Sequence, residues 1–316
     1  MNSQKKIKIF IAGHKGMVGS AIRRSLIKNG YNNIIVKDRK SLDLTNQSST
    51  YKFLKKIKPD FVILAAAKVG GIIFNSRFKH QFIYENNQIQ NNVIHGSYLA
   101  GTKNLFFLGS SCIYPKYCNQ PMKEKYLLSG ALEETNEAYS LAKIMGIKMC
   151  EYYSQFLNLN YKSLMPPNLY GPNDNFDLVN SHFYPALINK IYLAKKNNKK
   201  NLKIWGTGKA KRELMFVDDF ADAVVFFMKK KIKEPFLNIG TGKDHSINWY
   251  AKMLMRFMNV KLKISYDLKK PDGMPRKCLD ISLAKKYGWR PKNNYLKGFE
   301  LTFKNFLKTR KKHDKI

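Results

Sequence analysis

The stretch "IKIFIAGHKGMVGSAIRRSLIKNG" (residues 7–30) restricts the fold more than any other part of the chain. Residues 7–13 form an apolar run that ends in glycine, the pattern of a strand buried on both faces. Val18, Ile22, Leu26 and Ile27 then follow at helical spacing, and Gly30 suits a helix C-terminus. The alternation continues with strands at 33–36, 61–67 and 104–110 and helices near 46–57, 80–100 and 138–158. Buried strands alternating with helices predict an α/β fold, a Rossmann-type doubly wound parallel sheet. Beyond residue 170 the rhythm turns irregular, with short strands at 201–205 and 235–240 and helices near 218–230, 246–258 and 294–309. The reading is a dinucleotide-binding domain over 1–170, with some later segments returning to it. Residues 171–316 are expected to form mainly a smaller mixed α/β substrate domain.

With 316 residues and 44% hydrophobic content, the chain can bury a large core. No stretch approaches the roughly 18–20 apolar residues that span a bilayer. The longest candidate, "FVILAAAKVGGIIF", is broken by Lys68 and two glycines. The basic start carries too short an apolar run for a signal peptide, so a cytoplasmic protein with no membrane partner is expected. The four cysteines show no CxxC spacing and no histidine at metal-ligand distance, which points to reduced thiols and no metal. The net charge of +35 raises the question of a nucleic-acid partner. The lysines, however, scatter in small groups such as "KKNNKK" (195–200) and "KTRKK" (308–312), without a long stripe. No nucleic-acid partner is expected, and a few of these charges suffice to attract a small anion into a cleft.

Three motifs carry chemistry. Gly13, Gly16 and Gly19 lie on the first strand–helix turn, where a phosphate needs close backbone approach and free N–H groups. Their spacing is GxxGxxG rather than GxGxxG. The second strand ends in Lys37, Asp38, Arg39 and Lys40. Asp38 could accept from a ribose hydroxyl, whereas the flanking cations and Lys15 suit a 2′-phosphate; the balance favours NADP(H) over NAD(H). "LGSSCIYP" (108–115) ends a buried strand in small polar side chains, each costly if left dry and unpaired. "YSLAK" sets Tyr139 and Lys143 four apart on one helical face, where an ammonium would favour the phenolate and let the pair shuttle a proton.

With "FLGSSCIYPK", "TNEAYSLAKIMGIKMCE", "NLYGPNDNF", "NSHFYPAL", "WGTGKAKRELMFVDD" and "KPDGMPRKCLD", the chain resembles the extended short-chain dehydrogenase/reductases from residue 7 to about 289. Within them it is similar to enzymes that epimerise and reduce GDP-4-keto-6-deoxy-D-mannose. The resemblance implies a Ser110–Tyr139–Lys143 set for reduction at carbon 4, and Cys112 with His182 as the acid/base pair for epimerisation at carbons 3 and 5. It implies NADP(H) contacts at Gly13, His14, Lys15, Gly16, Met17, Val18, Gly19, Arg39, Leu108, Gly109, Lys143, Pro166, Asn168, Leu169 and His182. Lys190, Trp205, Arg212 and Asp272 would hold the GDP-sugar, with Lys190 near the diphosphate. A homodimer would form through the helices carrying "FIYENNQIQNNVIHGSYL" and "YSLAKIMGIKMCEYYSQF". The chain departs from the usual family pattern at Lys15, Ala138, Ser140 and Pro167, the last removing a backbone N–H near the cofactor.

Overall fold

The computed structural model describes residues 6–178, 180–292 and 295–313. Five early strands, β1 (Ile9–Ala12), β2 (Ile34–Lys37), β3 (Phe61–Leu64), β4 (Asn104–Leu108) and β5 (Asn160–Met165), pair in parallel, and β9 (Phe236–Asn238) joins them at the far edge. The order is β2-β1-β3-β4-β5-β9. The chain direction across the sheet reverses between β1 and β3, which opens a crevice beyond their carboxyl ends.

Both faces of the sheet are covered, which explains the uninterrupted apolar runs. Ile9, Ile11, Phe61 and Ile63 point to one side, where α1 (Met17–Lys28) and α7 (Val217–Phe227) pack through Ile22, Leu26, Phe220 and Val224. Phe10, Val62 and Leu64 point to the other. There they meet α2 (Gln47–Ile57), α4 (Lys79–Leu99) and α5 (Glu137–Leu157) through Leu54, Val93, Ile94 and Ile147. The short α3 (Ile72–Arg77) precedes α4. Each fully buried large side chain contributes about 1.5–3 kcal/mol, so the helices are fixed against the sheet by packing rather than by propensity.

The later residues do two things. Some return to the first sheet: β9 pairs with β5, and α7 is tied to α1 by Arg24 on Asp218 (2.6 Å) and Ser25 on Asp222 (2.8 Å). Others build a second layer. β8 (Lys211–Phe216) is flanked by β6 (Asn168–Tyr170), β10 (Asp244–Ser246) and β12 (Arg276–Lys277). A separate parallel pair joins β7 (Asn201–Trp205) to β11 (Lys263–Asp267). Helices α6 (Phe183–Lys196), α8 (Ile247–Phe257), α9 (Ser282–Lys286) and α10 (Tyr295–His313) surround them. One apolar cluster runs from Ile9 through Leu187, Leu214 and Leu254, so a shared core joins the two layers.

Candidate active site

The glycine turn leaves a cradle at the amino end of α1. Gly13 takes φ +90°, and a Cβ there would sit 2.7 Å from the Ala66 nitrogen. A Cβ on Gly19 would collide with the Gly13 carbonyl. Gly16 differs: it is the N-cap of α1, no side-chain hydrogen bond caps the helix there, and a Cβ would meet nothing nearer than 3.5 Å. Gly13 and Gly19 therefore allow the strand, turn and helix to close, while the space in front of Gly16 suits the diphosphate of a dinucleotide. Met17 and Val18 continue into the helix, partly buried against the core. His14 is held below its ordinary value by partial burial and by Lys15 and Arg23, which disfavour an imidazolium.

At the end of β2, Lys15 donates to Asp38 at 3.0 Å, and Ser41 donates its N–H (2.9 Å) and hydroxyl (2.7 Å) to the same carboxylate. The Ser41 bonds first, and then Lys15, hold Asp38 well below the usual carboxylate range. Both Asp38 oxygens thus have protein donors, while the Lys15 and Arg39 side chains remain 71% and 76% exposed. Lys15 pairs with Asp38 and Arg39 lies 4.0 Å from Glu85, and both side chains are otherwise open to solvent at the end of β2.

The polar end of β4 is built to expose a thiol. Gly109 donates to Leu164 O (3.0 Å), and a Cβ on it would strike the Met165 thioether. Ser110 then caps a single turn, Ser111–Ile113, its hydroxyl accepting from the Cys112 N–H at 3.2 Å. The Ser111 backbone N–H donates to the carbonyl of the buried Pro166 (3.0 Å), and the Ser140 hydroxyl donates to Cys112 O (2.9 Å). These bonds hold the turn, with Ser110 and Cys112 half-buried at its surface.

Tyr139 and Lys143 share the α5 face that meets this turn. Lys143 is only 4% exposed; its ammonium donates to Leu108 O at 2.8 Å and lies 4.6 Å from the Phe107 ring centre and 5.7 Å from that of Tyr139. Burial pulls Lys143 down to about 7, although Cys112 acts the other way. Burial, and then Cys112, push Tyr139 up, partly offset by a Ser110 hydrogen bond. This differs from the expectation of an ammonium that favours phenolate. Desolvation dominates both groups, so the phenol keeps its proton and stands ready as an acid.

Cys112 is therefore electrostatically coupled to Tyr139 and Lys143. Its direct partner is Lys277, whose ammonium lies 2.9 Å from the sulfur. Lys277 sits on β12 opposite Arg212 on β8. Burial raises the Cys112 thiol, but the Lys277 charge and hydrogen bonds from Lys277, Ser110 and Asn136 together outweigh it and hold the thiol below its ordinary value. His182, at the amino end of α6, is open to solvent within the cleft; surrounding protein and then Lys277 keep it below its ordinary value.

Among the expected substrate anchors, Trp205 lies between two cations, Lys190 at 4.8 Å and Lys270 at 5.5 Å from its ring. Arg212 spends two nitrogens on backbone carbonyls, Lys211 O (2.8 Å) and Asp272 O (2.9 Å). The Asp272 carboxylate accepts from Thr207 N–H (2.8 Å) and hydroxyl (2.7 Å), which makes it a brace for the Gly206–Gly208 turn. Asn168 reaches Glu213 O at 3.3 Å, and Leu169 packs against the core. No metal-binding cluster occurs among the described residues.

Sequence reasoning passed over Lys277 and Glu213. Glu213 is fully buried and accepts from Gly242 N (2.8 Å), Leu279 N (2.7 Å) and Thr241. It thereby ties "NIGTG" and the residues after Lys277 to β8, and burial raises it to about 7. The one available signal was an acid inside an apolar strand, "RELMF".

Residues 9–240 match the family model described as "NAD dependent epimerase/dehydratase family". The chain belongs to this family. It is 46% identical over 306 residues to "GDP-L-fucose synthase 1" of Arabidopsis thaliana, covering 97% of this chain and 95% of that protein. It is 48% identical over 300 residues to "GDP-L-fucose synthase" of Sinorhizobium fredii, covering 95% of each. Among solved structures it is similar to a GDP-mannoheptose C4 reductase from Campylobacter jejuni with NADP bound. The TM-score is 0.88 at 37% identity, over 96% of this chain and 99% of that one.

Proposed function

We propose that the chain converts GDP-4-keto-6-deoxy-D-mannose to GDP-L-fucose, inverting carbons 3 and 5 and then reducing carbon 4 with NADPH. The observation that carries this reading is the meeting, at one strand end, of a cation-paired thiol with a protonated phenol. A 4-keto group acidifies the protons on both adjacent carbons, so one base can serve each in turn. Cys112 removes the proton, Ser110 holds the ketone oxygen, and His182 returns a proton from the opposite face. The bound dinucleotide supplies hydride to carbon 4. Tyr139 then protonates the new alkoxide, and Lys143, anchored on Leu108 O, supports it. Lys190, Trp205 and Arg212 hold the nucleotide end, and the later residues thus serve as the substrate domain.

The test is incubation with GDP-4-keto-6-deoxy-D-mannose and NADPH, followed by identification of the product sugar; recovery of unconverted substrate would overturn the reading. A related GDP-sugar reductase is the second reading, favoured by the likeness to the mannoheptose enzyme. A product reduced without inversion would select it. A catalytically inactive binding protein is disfavoured by the intact site.

NADPH is expected to bind more tightly than NADH, because Lys15 and Arg39 are exposed while Asp38 is occupied. Salt should shrink that preference, since it screens the 2′-phosphate. Equal affinities at low salt would remove the role given to these charges.

A homodimer is part of the same reading. Leu141, Met145, Tyr152 and Phe156 make an exposed apolar stripe along α5, beside Tyr84 and Tyr98 on α4. A monomer in sedimentation at micromolar concentration would contradict it. A cytoplasmic setting is also proposed, supported by four free cysteines and by the absence, among the described residues, of a helix long and apolar enough to cross a membrane. Recovery in the membrane fraction of lysed cells would refute it.

A further inference from the structure

We propose that Lys277 sets the charge state of Cys112, its ammonium holding the sulfur as a thiolate so that each catalytic cycle begins with the base already formed. The inference rests on the reading of Cys112 as the epimerisation base. It assigns Lys277 a role that acts through Cys112.

The contact is built into the fold. Lys277 Nζ and Cys112 Sγ are 2.9 Å apart, although 165 residues separate them in the chain. The backbone around Lys277 is held from several sides. Its strand pairs with β8, Cys278 N donates to Gln120 (3.0 Å), Met122 N donates to Cys278 O (2.7 Å), and Leu279 N donates to Glu213 (2.7 Å). These bonds fix the position of the Lys277 backbone beside β8, from which its side chain reaches the sulfur.

The other groups facing the sulfur do not replace it. Arg212 on β8 interacts with Cys112 at longer range, its guanidinium committed to two carbonyls. Lys143 on α5 is anchored on Leu108 O and sits near 7, and Tyr139 keeps its proton. Ser110 and Asn136 offer neutral hydrogen bonds. Lys277 is the cation in contact. At His182 desolvation, and then the same Lys277 charge, disfavour the imidazolium, so the ammonium strengthens the base of the pair and not its acid.

In the proton-transfer step the sulfur takes the sugar C–H proton and becomes a thiol, the electron pair passes into the enolate, and Lys277 stays an ammonium. The thiolate is the species that reacts with iodoacetamide, forming an S–C bond and releasing iodide, so alkylation reports its population without turnover. Alkylation of Cys112 in the full-length protein would be followed by peptide mass from about pH 5 to about pH 10 in wild type, K277M and K277R. K277M should raise the midpoint by about 1–2 pH units and slow alkylation at neutral pH by roughly tenfold or more. K277R, which keeps the charge, should stay near wild type. An unchanged midpoint in K277M, or a K277R profile that follows K277M, would overturn the proposal. Failure of Cys112 as the base would be seen separately, in substrate proton exchange, and would leave the alkylation profiles as they are.

Discussion

Tyr139→Phe is expected to lower reductive turnover by about 10²–10⁴-fold while leaving NADPH affinity nearly unchanged. The phenyl ring fills the same place on α5, and only the O–H is lost. Desolvation and the neighbouring sulfur keep that O–H protonated across the neutral range, so its removal deletes the acid rather than a spectator. Lys143 cannot substitute, because its ammonium is turned toward Leu108 O and burial lowers it to about 7. Single-turnover hydride transfer, followed by NADPH absorbance, checks this. A mutant that keeps more than about a tenth of wild-type turnover would rule out the donor role.

The second large effect divides the two half-reactions. Cys112→Ser is nearly isosteric and keeps the backbone bonds to Ser110 and Ser140 that hold the turn. A hydroxyl is a far weaker acid than a thiol with a reference pKa of about 8.5, so an adjacent ammonium cannot make it a useful base. Exchange of substrate protons in deuterated water should collapse at carbons 3 and 5. Reduction should persist and yield an unepimerised D-configured sugar. His182→Asn, run beside it, should impair inversion by removing the opposite-face donor. Deuterium incorporation by Cys112→Ser at the wild-type rate would make Cys112 a structural residue.

Much of the architecture is legible from local pattern. Residues 9–12 and 61–64 are buried on both faces, and an apolar run records that directly. The Gly13/Gly16/Gly19 turn and the Tyr139/Lys143 spacing are equally local, since each motif lies within one turn or helix. What the sequence conceals is pairing between distant segments and the balance of opposing terms. Lys277 reads as one lysine among many until β12 is seen beside β8. Asp272 also accepts from Thr207 and braces the Gly206–Gly208 turn, a contact across 65 residues that its place in "KPDG" does not disclose. The Tyr139–Lys143 spacing is right, yet its electrostatic sense depends on burial, which residue identity alone does not specify.

The 165-residue span between Cys112 and Lys277 has a consequence for how the protein is made. During synthesis, the segment bearing Cys112 emerges from the ribosome long before its cation exists. Until β12 is translated and docked on β8, that sulfur is an ordinary thiol, mostly protonated and slow to oxidise at neutral pH. Nascent chains and truncated fragments therefore carry this cysteine without its cation, and its reactivity there follows exposure rather than a paired charge.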